Sequence, residues 1–250
     1  MCIRDRYYTP VNSYLKADEL AYIVQNSESQ VLITSRSRRE VAMEAAAMCP
    51  RLKLCLIVDG TGDDGNFLDY ATEVAKFPST PIEDESLGVS MMYSSGTTGR
   101  PKGILRPLQD SAPDTPLPLW GFLDGLWKYR DGMRYLSPAP LYHSAPQAAV
   151  GLTLRRGGTV IIMEHFDPED YLRLVEKYKV THSQLVPTMF SRMLKLPEDV
   201  KHRYDLSSLE IAVHAAAPCP VQVKEQMIEW WGPIIAEYYG ATEGLGFAAC

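Results

Sequence analysis

The sequence predicts an α/β protein built on parallel, doubly wound sheets flanked by helices. Three observations carry that prediction. Short β-rich apolar runs alternate with helical stretches along nearly the whole chain, the pattern of βαβ units. A segment rich in glycine and hydroxyl residues, 93–104, directly follows an apolar run, and in such sheets ligands gather beyond the carboxyl ends of the strands. Finally, 250 residues with 46% hydrophobic content suffice for one large domain or two subdomains.

Taken in order, Ala17 to Glu28 places Leu20, Ile23 and Val24 at helical spacing behind a polar first turn. A strand is predicted over 31–34, a helix over 38–48 and a strand over 54–59. Gly60 to Asn66 is a turn cluster, followed by a predicted helix over 67–77. Leu87 to Tyr93 reads as one buried strand, and Gly103 to Pro107 as a short one. Asp110 to Pro118 carries three prolines and reads as a surface excursion. The cluster of Trp120, Phe122, Leu123, Leu126 and Trp127 is expected to pack a helix. Further strands are predicted over 134–137, 159–163, 182–186, 209–214 and 234–238. Helices are predicted over 167–178, with an Asp-Pro start, over 188–196 and over 221–231.

The stretch Tyr93 to Ile104, YSSGTTGRPKGI, concentrates hydroxyls, glycines and a lysine. Glycines let a backbone approach a ligand closely. Successive N–H groups and hydroxyls can then wrap phosphate oxygens while the lysine adds a point charge. The spacing excludes a Walker loop: Gly96 and Gly99 are three apart, and Pro101 precedes Lys102 without a following Ser or Thr.

Bulk properties narrow the partners. A net charge of −6 argues against nucleic acid. Five cysteines without a CxxC pair argue against a disulfide frame or zinc and suit a reducing cytoplasm. No apolar run approaches a membrane-spanning length, while peripheral membrane contact stays open.

The YSSGTTGRPKGI string resembles the phosphate-loop signature of the adenylate-forming superfamily, which includes acyl-CoA synthetases, aryl-CoA ligases, luciferases and peptide-synthetase adenylation domains. Tyr238 to Gly244, YYGATEG, resembles its second nucleotide motif. Ala139 to Pro146, APLYHSAP, resembles the segment lining its acyl pocket, and Val213 to Pro220, VHAAAPCP, the strand end behind adenine and acyl group. Pro10 to Ser35 resembles the family's early helix and strand, and all the motifs appear in family order. Residues 7–250 are therefore expected to form part of an AMP-binding N-terminal domain. Residues 1–6, MCIRDR, stand outside the resemblance and read as a foreign start. The family's C-terminal mobile domain, with its hinge and catalytic lysine, is not in the sequence, so a fragment is expected, weakly active or inactive alone.

The resemblance implies an acid–thiol ligase that activates a hydrophobic carboxylate with ATP and passes it to coenzyme A. The pattern is most similar to bacterial fatty-acyl and steroid-side-chain CoA ligases. It implies that Ser94, Ser95, Gly96, Thr97, Thr98, Gly99 and Lys102 grip pyrophosphate, with Thr98 and Lys102 also catalytic. Within Tyr238, Tyr239, Gly240, Ala241, Thr242 and Glu243, Tyr239 would stack on adenine and Thr242 would meet the α-phosphate. Glu243, with Thr98, would hold Mg²⁺, a hard ion that takes few carboxylates plus substrate phosphates. His143 would gate the acyl pocket and thiol tunnel. Ala215, Ala216, Ala217 and Pro218 would back the ligand, alanines standing where the family has glycines, and His214 either faces substrate or is structural. No aspartate occupies 139–146 to pair with an amino group, which favours an acid without an α-amine. Many members follow the loop with a Thr-His-Arg-Asn-like helix start. Leu105–Arg106–Pro107–Leu108 departs from it, so no pocket residue is transferred between 106 and 133. The alternatives are a non-catalytic ATP/AMP-binding remnant and an adenylation domain of another branch.

Overall fold

The computed structural model describes residues 6–60, 65–82, 85–94, 99–108, 110–116, 120–240, 242 and 247–249. The chain divides into two compact units, Met1–Pro113 and Asp114–Cys250.

In the first unit, β1 (Tyr7–Tyr8) is followed by α1 (Ala17–Asn26), β2 (Val31–Ser35), α2 (Arg39–Ala47), β3 (Leu54–Val58), β4 (Leu68–Asp69) and α3 (Tyr70–Val74). Then come β5 (Val89–Ser90), β6 (Met92–Ser94) and β7 (Lys102–Ile104). Strands β2, β3 and β4 form a parallel sheet in that order. Ala17, Ala21 and Val24 of α1 and Ala42 and Ala45 of α2 pack with Leu32 and Ile57 of the sheet. The small residues on both helices let them lie close to one another and to the strands.

Two expectations need correction here. The helix over 67–77 is instead a strand followed by one and a half turns of helix. Asp69 accepts a hydrogen bond from the Thr72 backbone N–H at 2.8 Å, so it caps the helix rather than lying inside it. Leu68 pairs with Leu56 of β3. The single strand over 87–93 is two short ones: β5 pairs parallel with β1, and β6 pairs antiparallel with β7. Met91 and Met92 are both buried, so the in–out alternation of one continuous half-buried strand is broken between them.

In the second unit the order is α4 (Trp120–Trp127), β8 (Arg134–Ser137), α5 (Ser144–Arg155), β9 (Thr159–Ile162), α6 (Pro168–Tyr178) and β10 (His182–Leu185). There follow α7 (Pro187–Leu194), α8 (Glu198–Lys201), β11 (Ile211–His214), α9 (Val221–Trp231), β12 (Ile235–Gly240) and β13 (Phe247–Ala249). The sheet order is β13-β12-β11-β10-β8-β9, parallel except for the antiparallel β12–β13 pair. The strand order therefore reverses beside β8, which connects to β9 on one side while β10 lies on the other.

Local sequence sets these elements. Helix α6 opens on Asp167, whose side chain accepts from the Asp170 backbone N–H, with Pro168 in its first turn. It closes where Lys179 takes a left-handed conformation (φ 49°). Helix α9 ends at Gly232 (φ 82°). Leu136, Leu185 and Ala212 of the strands pack against Tyr171, Leu172, Val175, Phe190, Met193 and Met227 on one face. On the other face, Tyr135 packs with Met133 and with Ala149 of α5.

Phe190 has no exposed surface and sits in the middle of the larger core. Phe190→Ala is expected to destabilise the second unit by about 3–5 kcal/mol, read as a lowered denaturant midpoint.

Candidate nucleotide and acid site

The carboxyl ends of β8, β11 and β12 lead into the three segments singled out in the second half of the sequence. After β8, Pro138 to Tyr142 runs to His143, which takes the N-cap position of α5 (φ −83°, ψ 144°). The His143 ring lies 4.4 Å from the Tyr142 ring, and partial burial holds its pKa below the usual value. Ser144, the next residue, has its Oγ 3.3 Å from Thr242 Oγ1. That contact brings the 139–146 segment and the YYGATEG motif together across 98 residues of sequence.

After β11 the chain turns at Ala215, which is buried, and Ala216, whose φ is +75°. A side chain in this left-handed region costs about 1–2 kcal/mol. A glycine there would be unstrained, so the alanine holds the turn under backbone strain. Ala216, Ala217 and Pro218 are exposed.

Strand β12 presents its two tyrosines to opposite faces, as strand alternation requires. Tyr239 is 80% exposed. Tyr238 is half-buried: its hydroxyl accepts from Gln184 Nε2 of β10 at 2.6 Å, and its ring lies 5.1 Å from that of Trp127. On the Tyr239 side, His214 is fully buried and meets the edge of Phe190. Neither His214 ring nitrogen has a hydrogen-bond partner among the described residues, and Glu237 Oε2 stands 3.8 Å away, itself bonded by Lys224 at 2.8 Å. Burial holds His214 neutral, its pKa below the usual value. The hydrogen bond from Lys224 holds Glu237 below the usual carboxylate range.

The phosphate-loop stretch belongs to the first unit. Ser94 ends β6 and pairs with Lys102 of β7, so the two described ends of the loop are the strands of one hairpin. Helix α1 ties down both. The Tyr93 hydroxyl donates to Asn26 Oδ1 at 2.6 Å, and the Tyr22 hydroxyl donates to the Pro101 carbonyl at 3.0 Å. The Arg100 guanidinium lies over the Tyr22 ring at 5.1 Å, and burial pushes the Tyr93 pKa up to about 12. Gly103 fits because a Cβ there would fall 2.9 Å from Tyr93 Cζ. Lys102 and Gly99 are exposed, Gly99 with φ 108°.

Of the sequence-predicted site residues, Ser95, Gly96, Thr97, Thr98, Ala241 and Glu243 lie outside the described residues. His143, Ala216, Ala217, Pro218, Tyr238, Tyr239, Gly240 and Thr242 gather at the carboxyl edge of the six-stranded sheet. No group of three or more His, Cys, Asp or Glu suited to a metal occurs among the described residues. None of the helices among them is long and apolar enough to cross a membrane. Sequence reasoning missed Gln184, Ser144 and the Lys224–Glu237 pair. Gln184 carried little signal, since it follows the polar Thr181, His182 and Ser183.

A family model described as AMP-binding enzyme matches residues 5–250. The chain belongs to this family. Among curated relatives, it is 35% identical to medium/long-chain-fatty-acid–CoA ligase FadD8 of Mycobacterium tuberculosis over 181 residues. That match covers 70% of this chain and 30% of FadD8. It is 27% identical to 4-coumarate–CoA ligase of Pinus taeda over 246 residues, 96% of this chain and 44% of that protein. Among solved structures, amide bond synthetase McbA from Marinactinospora thermotolerans superposes with a TM-score of 0.78 at 26% identity. The superposition covers 97% of this chain and 47% of McbA. The chain thus spans less than half the length of each of these proteins.

Because His143, His182 and His214 all have lowered pKa values in the folded chain, the unfolded chain takes up protons first as pH falls below about 6.5. Stability is therefore full at neutral pH and expected to decline as pH drops from 7 towards 5. Denaturant midpoints measured across that range should show the decline, with a shallower slope for His214→Leu.

Proposed function

We propose that this chain carries the nucleotide- and acid-binding residues of an AMP-forming acid–thiol ligase. The observation that carries the reading is the gathering of three family motifs at the carboxyl ends of parallel strands of one sheet, within a chain matched almost throughout by the AMP-binding family.

In the proposed reaction a carboxylate oxygen attacks the α-phosphorus of ATP, and the bond to pyrophosphate breaks. The thiolate sulfur of coenzyme A then attacks the acyl carbon, and the C–O bond to AMP breaks. Negative charge gathers on the phosphoryl oxygens in the first step, so placed donors and cations matter more than a protein nucleophile.

Tyr239, projecting from the sheet, is the group proposed to stack on adenine. The exposed backbone of Ala216 to Pro218 would lie against the ligand. Thr242, beside Ser144, would donate to the α-phosphate. Ser94 to Gly99 and Lys102 would hold pyrophosphate from a hairpin braced by α1. His143, largely neutral at pH 7, would stand beside the acid and the incoming thiol. Glu243 and Thr98 are proposed to hold Mg²⁺, which would neutralise phosphate charge.

The acid proposed is a hydrophobic one without an α-amine. The fatty-acid and coumarate ligases among the relatives support that class, and a cytoplasmic setting is proposed with it.

Calorimetric titration with AMP tests the reading. The chain is expected to bind AMP, and Tyr239→Ala to weaken binding about ten-fold, the low end of what loss of one base–aromatic stack costs. Any ATP cleavage is expected to release AMP and pyrophosphate. Absence of AMP binding, an unchanged affinity in Tyr239→Ala, or release of ADP would each contradict the proposal.

A further inference from the structure

Ser144 is the first residue of α5, and the helix behind it fixes its place. Pro146, in the first turn, is buried and presets the helical backbone. Ala149 packs with Met133 and Tyr135. Thr153 is buried, and its hydroxyl donates to the Ala149 carbonyl at 2.8 Å. The His143 N–H donates to the Pro140 carbonyl and the Gln147 N–H to the His143 carbonyl, each at 3.2 Å. The chain is thus bonded on both sides of Ser144, which projects from a rigid element. Thr242, by contrast, lies two residues past the end of β12.

One contact joins them. Ser144 Oγ lies 3.3 Å from Thr242 Oγ1 in a half-buried position, and either hydroxyl can be the donor. A ligand decides the direction. A hydroxyl carries one hydrogen and accepts at two lone pairs, whereas an ionised phosphate oxygen only accepts. Once the Thr242 hydrogen goes to a phosphate, its bond with Ser144 must run from Ser144 to Thr242. Bonds in such a chain polarise one another, which strengthens the donor at its end. At 3.3 Å the contact is longer than a tight hydroxyl pair, and hydrogen bonds in active sites often tighten when the ligand binds.

Resting on the reading that Thr242 meets the α-phosphate, we propose that Ser144 is a positioning residue for that contact. It donates to Thr242 Oγ1 and so turns the Thr242 hydrogen towards the phosphate. Ser144 touches no ligand in this role. It acts only through Thr242, and it brings the stiffness of α5 to a side chain beyond the strand end.

Calorimetric titration with AMP and with adenosine tests this, at a pH of about 8 where a phosphate monoester is a dianion. Ser144→Ala is expected to weaken AMP binding about five-fold, the worth of one neutral hydrogen bond. Adenosine, which has no phosphate, is expected to bind this variant as it binds the unaltered chain. Ser144→Thr keeps the hydroxyl and is expected to keep the AMP affinity. In a Thr242→Ala background, Ser144→Ala is expected to cost nothing further, as a residue acting through Thr242 requires. Unchanged AMP affinity in Ser144→Ala, an equal loss for adenosine, no recovery in Ser144→Thr, or the full loss repeated in the Thr242→Ala background each overturns the inference. AMP binding by the unaltered chain leaves the nucleotide reading standing in all four cases. If Thr242→Ala alone leaves AMP affinity unchanged, the role of Thr242 fails and the inference with it. If the unaltered chain binds no AMP, the nucleotide reading itself fails.

Discussion

The reversal of strand order beside β8 is the constraint from which the candidate site follows. Parallel strands can be joined only by crossovers, and each crossover here must bury an apolar helix face against the sheet. Helix α5 joins β8 to β9 along one face, whereas α6, α7 and α9 pack their apolar residues into the core on the other. With helices on both faces, the carboxyl ends of the strands stay open. The chain leaves β8, β11 and β12 at the same edge, so the 139–146, 213–220 and 238–240 segments are delivered there by topology rather than by their own packing.

Strand alternation then assigns the side chains. Tyr238 and Tyr239 are chemically alike and adjacent, yet one is tied to Gln184 and Trp127 while the other stands in the open. The same alternation sends His214 into the core beside Phe190 and leaves Ala215 on the opposite face. The turn that follows strains Ala216. A neutral buried histidine, an anionic glutamate held by a lysine and a strained alanine all lie within one strand end of the proposed ligand.

Much of this was legible in the residues. The helix over 221–231 and the strand over 134–137 agree with the structure to the residue, because a proline or turn bounds the first and a short β-rich run fills the second. The short strand expected over 103–107 is present but shifted, running from Lys102 to Ile104 and pairing with β6. What stayed hidden depended on tertiary partners. Leu68 and Asp69 look helical until β3 supplies a strand to pair with. Met91 and Met92 look like one strand until two different partners divide them. For the site, spacing located Tyr238 and Tyr239 but carried no information on which faces Gln184, since that depends on the register of β10, β11 and β12. His214 was open between two roles in the sequence, and its burial in the core places it away from the exposed turn.

The most direct test of the account is backbone hydrogen exchange of the chain with and without AMP. Added protection is predicted at the carboxyl edge of the six-stranded sheet, in 213–219, 236–240 and 142–146, with none in the β2–β3–β4 sheet, which serves as the internal reference. Protection centred on that reference sheet, or spread evenly over the chain, would contradict the claim that the strand ends form the nucleotide site.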